Sequence, residues 1–217
     1  IDLREKRAHD FFDDFVKRHS LPLSPTSQGG ASASWTVEPG REDEIIARRG
    51  RLADLTVIAR PGKESAVSVG MALNAALFET GRPVLVAPPE PPSAKARRAA
   101  VAWNGGVEAS RALKAALPIL ECLEGVRVLS LDTDKTDASE ASELKAYLAW
   151  HGIEAEVQTP ALAGRAVGAV LLEACSAFNA DLLVMGGYGH SRMRQLILGG
   201  VTRHVLEQAT LPVLMAH

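Results

Sequence analysis

Cysteine is nearly absent from this 217-residue chain: Cys122 and Cys175 are the only two. They stand in no CxxC pair and no metal-ligand spacing, which excludes a disulfide-rich scaffold. Both fall on apolar helical stretches and read as buried small hydrophobes in a reducing cytoplasm, with a single bridge between them as the alternative. An excess of charge of either sign is also missing. Lys and Arg number 24 against 26 Asp and Glu, a formal net charge of −2. That balance argues against a dedicated nucleic-acid or membrane-surface protein. No apolar run approaches the roughly 20 residues that a spanning helix needs, and no signal peptide is visible. The first residue is Ile1 rather than Met, so a true N-terminus ahead of it is expected. Familiar catalytic signatures are missing as well: there is no GxSxG, no HExxH and no GK[ST]. The histidines, His151, His190, His204 and His217 among them, show no pairing of zinc geometry.

What the chain does have is alternation. Residues 3–19 carry Phe11, Phe12, Phe15 and Val16 among many charges and read as an amphipathic helix. Residues 20–33, with Pro22, Pro25, Gly29 and Gly30, form a loop, and 34–37 a short strand candidate. A helix is expected over 42–51, a buried strand over 54–59, a helix over 65–79 and a strand over 82–87. The four prolines between Pro88 and Lys95 make a linker. Strands at 98–103, 126–131, 153–158 and 211–215 then alternate with helices at 108–120, 139–150 and 164–178. A further strand at 182–185 precedes a helix that ends near Gln208. The polar alternation of 153–158 suits a sheet edge. Strands alternating with helices of this length imply a parallel sheet covered by helices on both faces.

The stretch from Ala180 to Val205 concentrates the informative residues. An apolar run, Leu182 to Met185, ends in Gly186-Gly187-Tyr188-Gly189, and a second glycine pair, Gly199-Gly200, precedes Val201, Thr202 and a helical pattern. Glycines at a strand's carboxyl end let amides face outward, and a helix beginning near Gly199 points free N–H groups into the same space. The spacing Gly186, two residues, Gly189, nine residues, Gly199 resembles the nucleotide-binding signature of the universal stress protein family. The ADLLVM strand before it, the VTRHVL helix after it and the closing LPVLMA strand strengthen the resemblance, which covers at least Ala99 to His217. Two positions depart from the family pattern. Gly200 stands where Ser or Thr follows the second glycine point, and Asn104 stands where an Asp commonly ends the first strand.

A repeat extends the resemblance to the tandem members of that family. Ala53-Asp54-Leu55-Thr56-Val57-Ile58 matches Ala180-Asp181-Leu182-Leu183-Val184-Met185, and Pro83-Val84-Leu85-Val86-Ala87 matches Pro212-Val213-Leu214-Met215-Ala216. The fold class expected is α/β, a doubly wound, parallel, five-stranded sheet, Rossmann-like and similar to the adenine nucleotide alpha hydrolases, as a tandem repeat whose first unit is incomplete. Residues 1–90 form that incomplete unit, 91–97 the linker and 98–217 the complete unit. Half a sheet is not stable alone. Either about 60 residues, the size of one βαβ unit, precede it, or it docks on the second unit. In tandem relatives the two domains are expected face to face.

The resemblance implies ATP or a related adenine nucleotide as ligand, held where the strand order reverses. The residues implied are Ala102 and Asn104 at the end of the first strand, Gly186 and Gly189, His190, Ser191 and Arg192 on the connecting loop, and Gly199, Gly200, Val201 and Thr202 at the helix start. Asn104 keeps an acceptor oxygen but loses the charge, and Gly200 loses a hydroxyl while keeping its N–H, so weaker binding is expected. Thr202 caps or packs at the first helical turn. Arg192 and Arg194 reach phosphate or form a solvated loop face, and His204 is a core or interface histidine. Asp132 and Asp134 offer carboxylates to Mg²⁺ or form a solvated acidic loop, the second reading carrying more weight. Pro61 lacks an N–H where the second unit has its glycines, so at most one site per chain is expected. The readings open are a cytoplasmic stress-response binding module, a nucleotide-independent docking scaffold and a slow ATPase. A homodimer through the apolar strand 211–215 is expected, with no nucleic acid and no membrane partner.

Overall fold

The structure, a computed structural model, describes residues 3–25, 29–60, 66–90, 94–130, 138–188 and 200–217. The chain divides into two compact units, Ile1–Gly40 and Arg41–His217. In the first, α1 (Leu3–His19) carries Phe12 and His9, whose rings lie 5.5 and 5.2 Å from Trp35. Residues 34–37, expected as a strand, take no strand conformation. A strand needs a hydrogen-bonded neighbour, and Trp35 instead meets aromatic side chains of α1.

In the second unit α2 (Glu42–Gly50), β1 (Thr56–Ala59), α3 (Ala66–Glu79) and β2 (Val84–Ala87) come first. They are followed by β3 (Arg98–Trp103), α4 (Val107–Leu120), β4 (Gly125–Ser130), α5 (Ala138–Trp150), β5 (Ala155–Gln158), α6 (Val167–Ala177), β6 (Leu182–Gly186), α7 (Gly200–Gln208) and β7 (Val213–Ala216). The strands form one seven-stranded sheet in the order β1-β2-β7-β6-β3-β4-β5. Every neighbouring pair is parallel except β2 and β7, which are antiparallel with Leu85 opposite Leu214.

The five parallel strands expected of residues 98–217 are therefore β3 to β7, and the two remaining strands extend them. The repeat holds down to single hydrogen bonds. Leu183 N–H donates to Pro212 C=O at 3.0 Å and Thr56 N–H to Pro83 C=O at 3.1 Å; Gly187 N–H donates to Ala216 C=O and Arg60 N–H to Ala87 C=O, both at 2.9 Å. Two expectations are corrected here. Residues 41–90 and 98–217 meet edge to edge in a continuous sheet rather than face to face. The edge of β7 that was to join two chains is occupied by β2 of the same chain, so dimerisation through 211–215 has no free strand to use. An apolar strand edge demands a neighbour, and β2 supplies it.

The core fills both faces of β3, β6 and β7. On one face Leu183, Met185, Val213 and Met215 pack with α3, α6 and α7; on the other Val101, Leu182, Val184 and Leu214 pack with α4 and α5. Asp181 ties this region to the chain before it. Its carboxylate accepts from the N–H groups of Arg97 and Arg98 at 2.8 and 3.0 Å. β1 was expected to be buried and is only half-buried: it is the edge of the sheet among the described residues, and Val57 is 60 % exposed. Of the cysteines, Cys175 is buried as expected, and burial pushes its thiol up to about 12. Cys122 is exposed, in the turn after α4 rather than on a buried helical face, and both thiols are free.

Candidate functional site

Strand order reverses between β3 and β6: the chain proceeds outward to β4 on one side and to β7 on the other. Their register, Ala102 opposite Met185, continues to set Asn104 level with Gly187. This switch point lies at the carboxyl ends of parallel strands, the place where ligands of such sheets bind. The structure thus brings the end of the first strand beside the start of the glycine segment. Gly189, His190, Ser191, Arg192 and Gly199 lie outside the described residues, as do Arg194, Asp132 and Asp134.

The described residues each have a definite role. Ala102 is half-buried and backs onto the core that also takes Met185. Asn104 is exposed, and its Oδ1 accepts the Gly106 N–H at 3.0 Å, closing the turn into α4. Gly186 is required by close packing: a Cβ there would stand 2.6 Å from the Ala109 nitrogen of α4. Gly187 uses its N–H on Ala216, as described above. Tyr188 takes the left-handed conformation with φ 65° although it is not glycine. Its N–H donates to the hydroxyl of Thr202 at 3.4 Å. Thr202 is buried on the first turn of α7 and therefore packs there, joining α7 to the end of β6. Gly200 and Val201 open that helix, with space around Gly200. His204 is half-buried and packs against Gly168 of α6.

Electrostatics distinguishes the two helix starts at this end of the sheet. The first turn of α4 holds Glu108, whose carboxylate lies against Gly106, and a negative charge there opposes an anion. The first turn of α7 holds no acidic residue, so no carboxylate there offsets the partial positive charge of its first N–H groups, which have no partner within the helix. Arg203 is turned away from that end, paired with Glu207 one turn down the helix at 2.7 Å. Trp103, beside Asn104, has a buried indole N–H with no acceptor among the described residues. No group of three or more His, Cys, Asp or Glu suited to a metal occurs among the described residues.

Several residues at this site were not singled out from sequence. The Tyr188 ring is buried, which pushes its phenol up to about 12. It lies edge-on to Phe78 of α3 at 4.9 Å, with its hydroxyl 3.5 Å from Asn74 Oδ1. Phe78 also meets the His217 ring at 4.6 Å, and His217 Nδ1 is 3.2 Å from the Gly187 carbonyl oxygen. No signal in the sequence would have found them, because they meet through the join of the PVLVA and PVLMA strands, which rests on backbone pairing. Joined antiparallel, these strands carry the end of α3 to the end of β7.

The universal stress protein family model matches residues 80–217, more than half of the chain. The chain belongs to the universal stress protein family. A universal stress protein of Synechocystis sp. is 53 % identical over 34 residues, a match that spans 16 % of this chain and 12 % of that relative's length. Among solved structures, a universal stress protein from Archaeoglobus fulgidus superposes with a TM-score of 0.71 at 16 % identity, covering 98 % of this chain and 76 % of that one. A putative universal stress protein from Pseudomonas aeruginosa gives 0.58 at 14 % identity, over 95 % of this chain and 77 % of the other. These likenesses speak for the fold. No helix among the described residues is long and apolar enough to cross a membrane.

Proposed function

We propose that this universal stress protein is a stress-response binding module that takes one adenine nucleotide, such as ATP, in its second half. The observation that carries the reading is Asn104 standing level with Gly187 at the reversal between β3 and β6, where the next residue, Tyr188, is tied through Thr202 to the acid-free first turn of α7. The grip is narrower than the glycines alone suggest, because Gly187, Tyr188 and Gly106 spend their N–H groups inside the protein. Among the described residues, what is left for phosphate oxygens is the first turn of α7, at Gly200, Val201 and Thr202. What is left for the nucleoside is the amide NH₂ of Asn104, with the Trp103 indole N–H a further donor beside it. The nucleotide brings the phosphoanhydride; the chain's residues bind and orient it. No general base is assigned, so the reading is a binding module rather than an efficient ATPase. Residues 1–90 and 98–217 are taken as repeated units of which only the second holds ligand.

The occupied amides favour a second reading, a nucleotide-independent scaffold in which Asn104 and Thr202 serve only to close turns. Calorimetric titration of the purified chain with ATP separates the two. The binding module gives a saturable heat at one equivalent per chain, weakened by Asn104→Ala and by Gly189→Val. A flat titration with folded protein leaves the scaffold.

A further inference from the structure

Tyr188 is a costly residue at a sensitive place. A side chain in the left-handed region is sterically disfavoured and persists where its surroundings hold it. Here the holding groups come largely from the half that lacks a glycine loop of its own. Phe78 and Asn74 both belong to α3, and α3 reaches Tyr188 only because β2 joins β7 in the antiparallel sense. Phe78 braces the same loop from a second direction through His217, which faces the Gly187 carbonyl. On its far side Tyr188 is tied through its own N–H to Thr202, on the turn of α7 whose amides are the phosphate grip.

We propose that Phe78 and Asn74 of α3 are positioning residues for the nucleotide site, holding Tyr188 in its left-handed turn so that the end of β6 and the first turn of α7 keep a fixed separation. The first half is then a brace acting in cis on the second half's site. This rests on the nucleotide reading above. Phe78 is half-exposed, so its ring contributes modestly to the core, and the two roles are separable.

The test compares wild type with Phe78→Ala, Asn74→Ala and Phe78→Tyr in the 217-residue chain. It reads ATP affinity by calorimetry, the urea midpoint, and hydrogen exchange of the Tyr188 amide. Phe78→Ala is expected to weaken ATP roughly fivefold, the size of coupling that residues remote from a ligand commonly carry, and to speed exchange at Tyr188 with little change in midpoint. Asn74→Ala acts in the same direction, and Phe78→Tyr restores affinity. In a Tyr188→Gly background Phe78→Ala is expected to have no further effect on affinity, since the ring that Phe78 braces is gone. Unchanged exchange at Tyr188 in Phe78→Ala overturns the proposal whether or not ATP binds. Unchanged ATP affinity alongside a wild type that binds also overturns it. Faster exchange in the variant, with no ATP binding by wild type, sinks the nucleotide reading and leaves the brace standing.

Discussion

β1 and β6 are built from nearly the same residues and live in different surroundings. Val57 and Val184 occupy the same place in the repeat, yet Val57 is 60 % exposed and Val184 is 1 % exposed. β6 has β3 on one side, β7 on the other and α4 across its face; among the described residues β1 pairs with β2 alone and has no helix corresponding to α4. The same contrast explains a glycine. Gly186 aligns with Ala59, and the first half tolerates a methyl group there because no helix backbone crowds it. Gly186 is therefore glycine for the sake of α4, and its presence in the motif is not in itself a mark of a ligand. The evidence for a ligand site shifts to Asn104 and to the bare start of α7.

The comparison can be broken most forcefully at that glycine. Gly186→Val drives side-chain atoms into the α4 backbone and is expected to cost about 3 kcal/mol, read as a lowered urea midpoint. Ala59→Val, the corresponding change in the first half, should stay within about 0.5 kcal/mol. Equal costs would mean that α4 does not pack on β6 as described. A smaller contrast is expected at the paired valines. Val184→Ala removes two fully buried methyl groups at about 2 kcal/mol, whereas Val57→Ala should cost under about 0.5 kcal/mol. A large loss at Val57 would show that its face is covered in solution. The smallest effect belongs to the paired aspartates. Asp181→Ala gives up two hydrogen bonds to the start of β3 and is expected to cost about 1 kcal/mol; Asp54→Ala, with no β3 beside it, should be close to neutral. A chemical-denaturation series on the six variants checks all three pairs.

Much of this fold was legible in the sequence because strands of a parallel sheet are short apolar runs, and such runs at 84–87, 98–103, 182–185 and 213–216 stand out between helical stretches. The place of β5 at an edge followed from the alternating polarity of residues 153–158. The join of β2 to β7 was not legible, since strand edges pair through backbone groups that side-chain pattern does not encode. The exposure of Val57 was hidden for a related reason: ADLTVI and ADLLVM look alike, and burial is decided by neighbours far along the chain. Asn104 was noticed as a departure from the family Asp, but its use as a turn acceptor for Gly106 depends on local backbone geometry. Tyr188 was read only as part of a glycine-rich turn, because nothing in the sequence places Phe78 beside it. Cys122 shows the limit of helical periodicity at a terminus, where one residue past Glu121 leaves the apolar face for solvent.

The antiparallel seam has one more consequence. It sets a pseudo-dyad between β2 and β7, so the strand tips that form the mouth of one half sit at the opposite rim of the sheet from those of the other. Arg60, at the tip of β1, accordingly reaches the Leu211 carbonyl ahead of β7, while Phe78 touches His217 behind it. Whatever arrives from solvent at the Asn104 rim therefore meets the amino ends of β1 and β2 rather than their carboxyl ends.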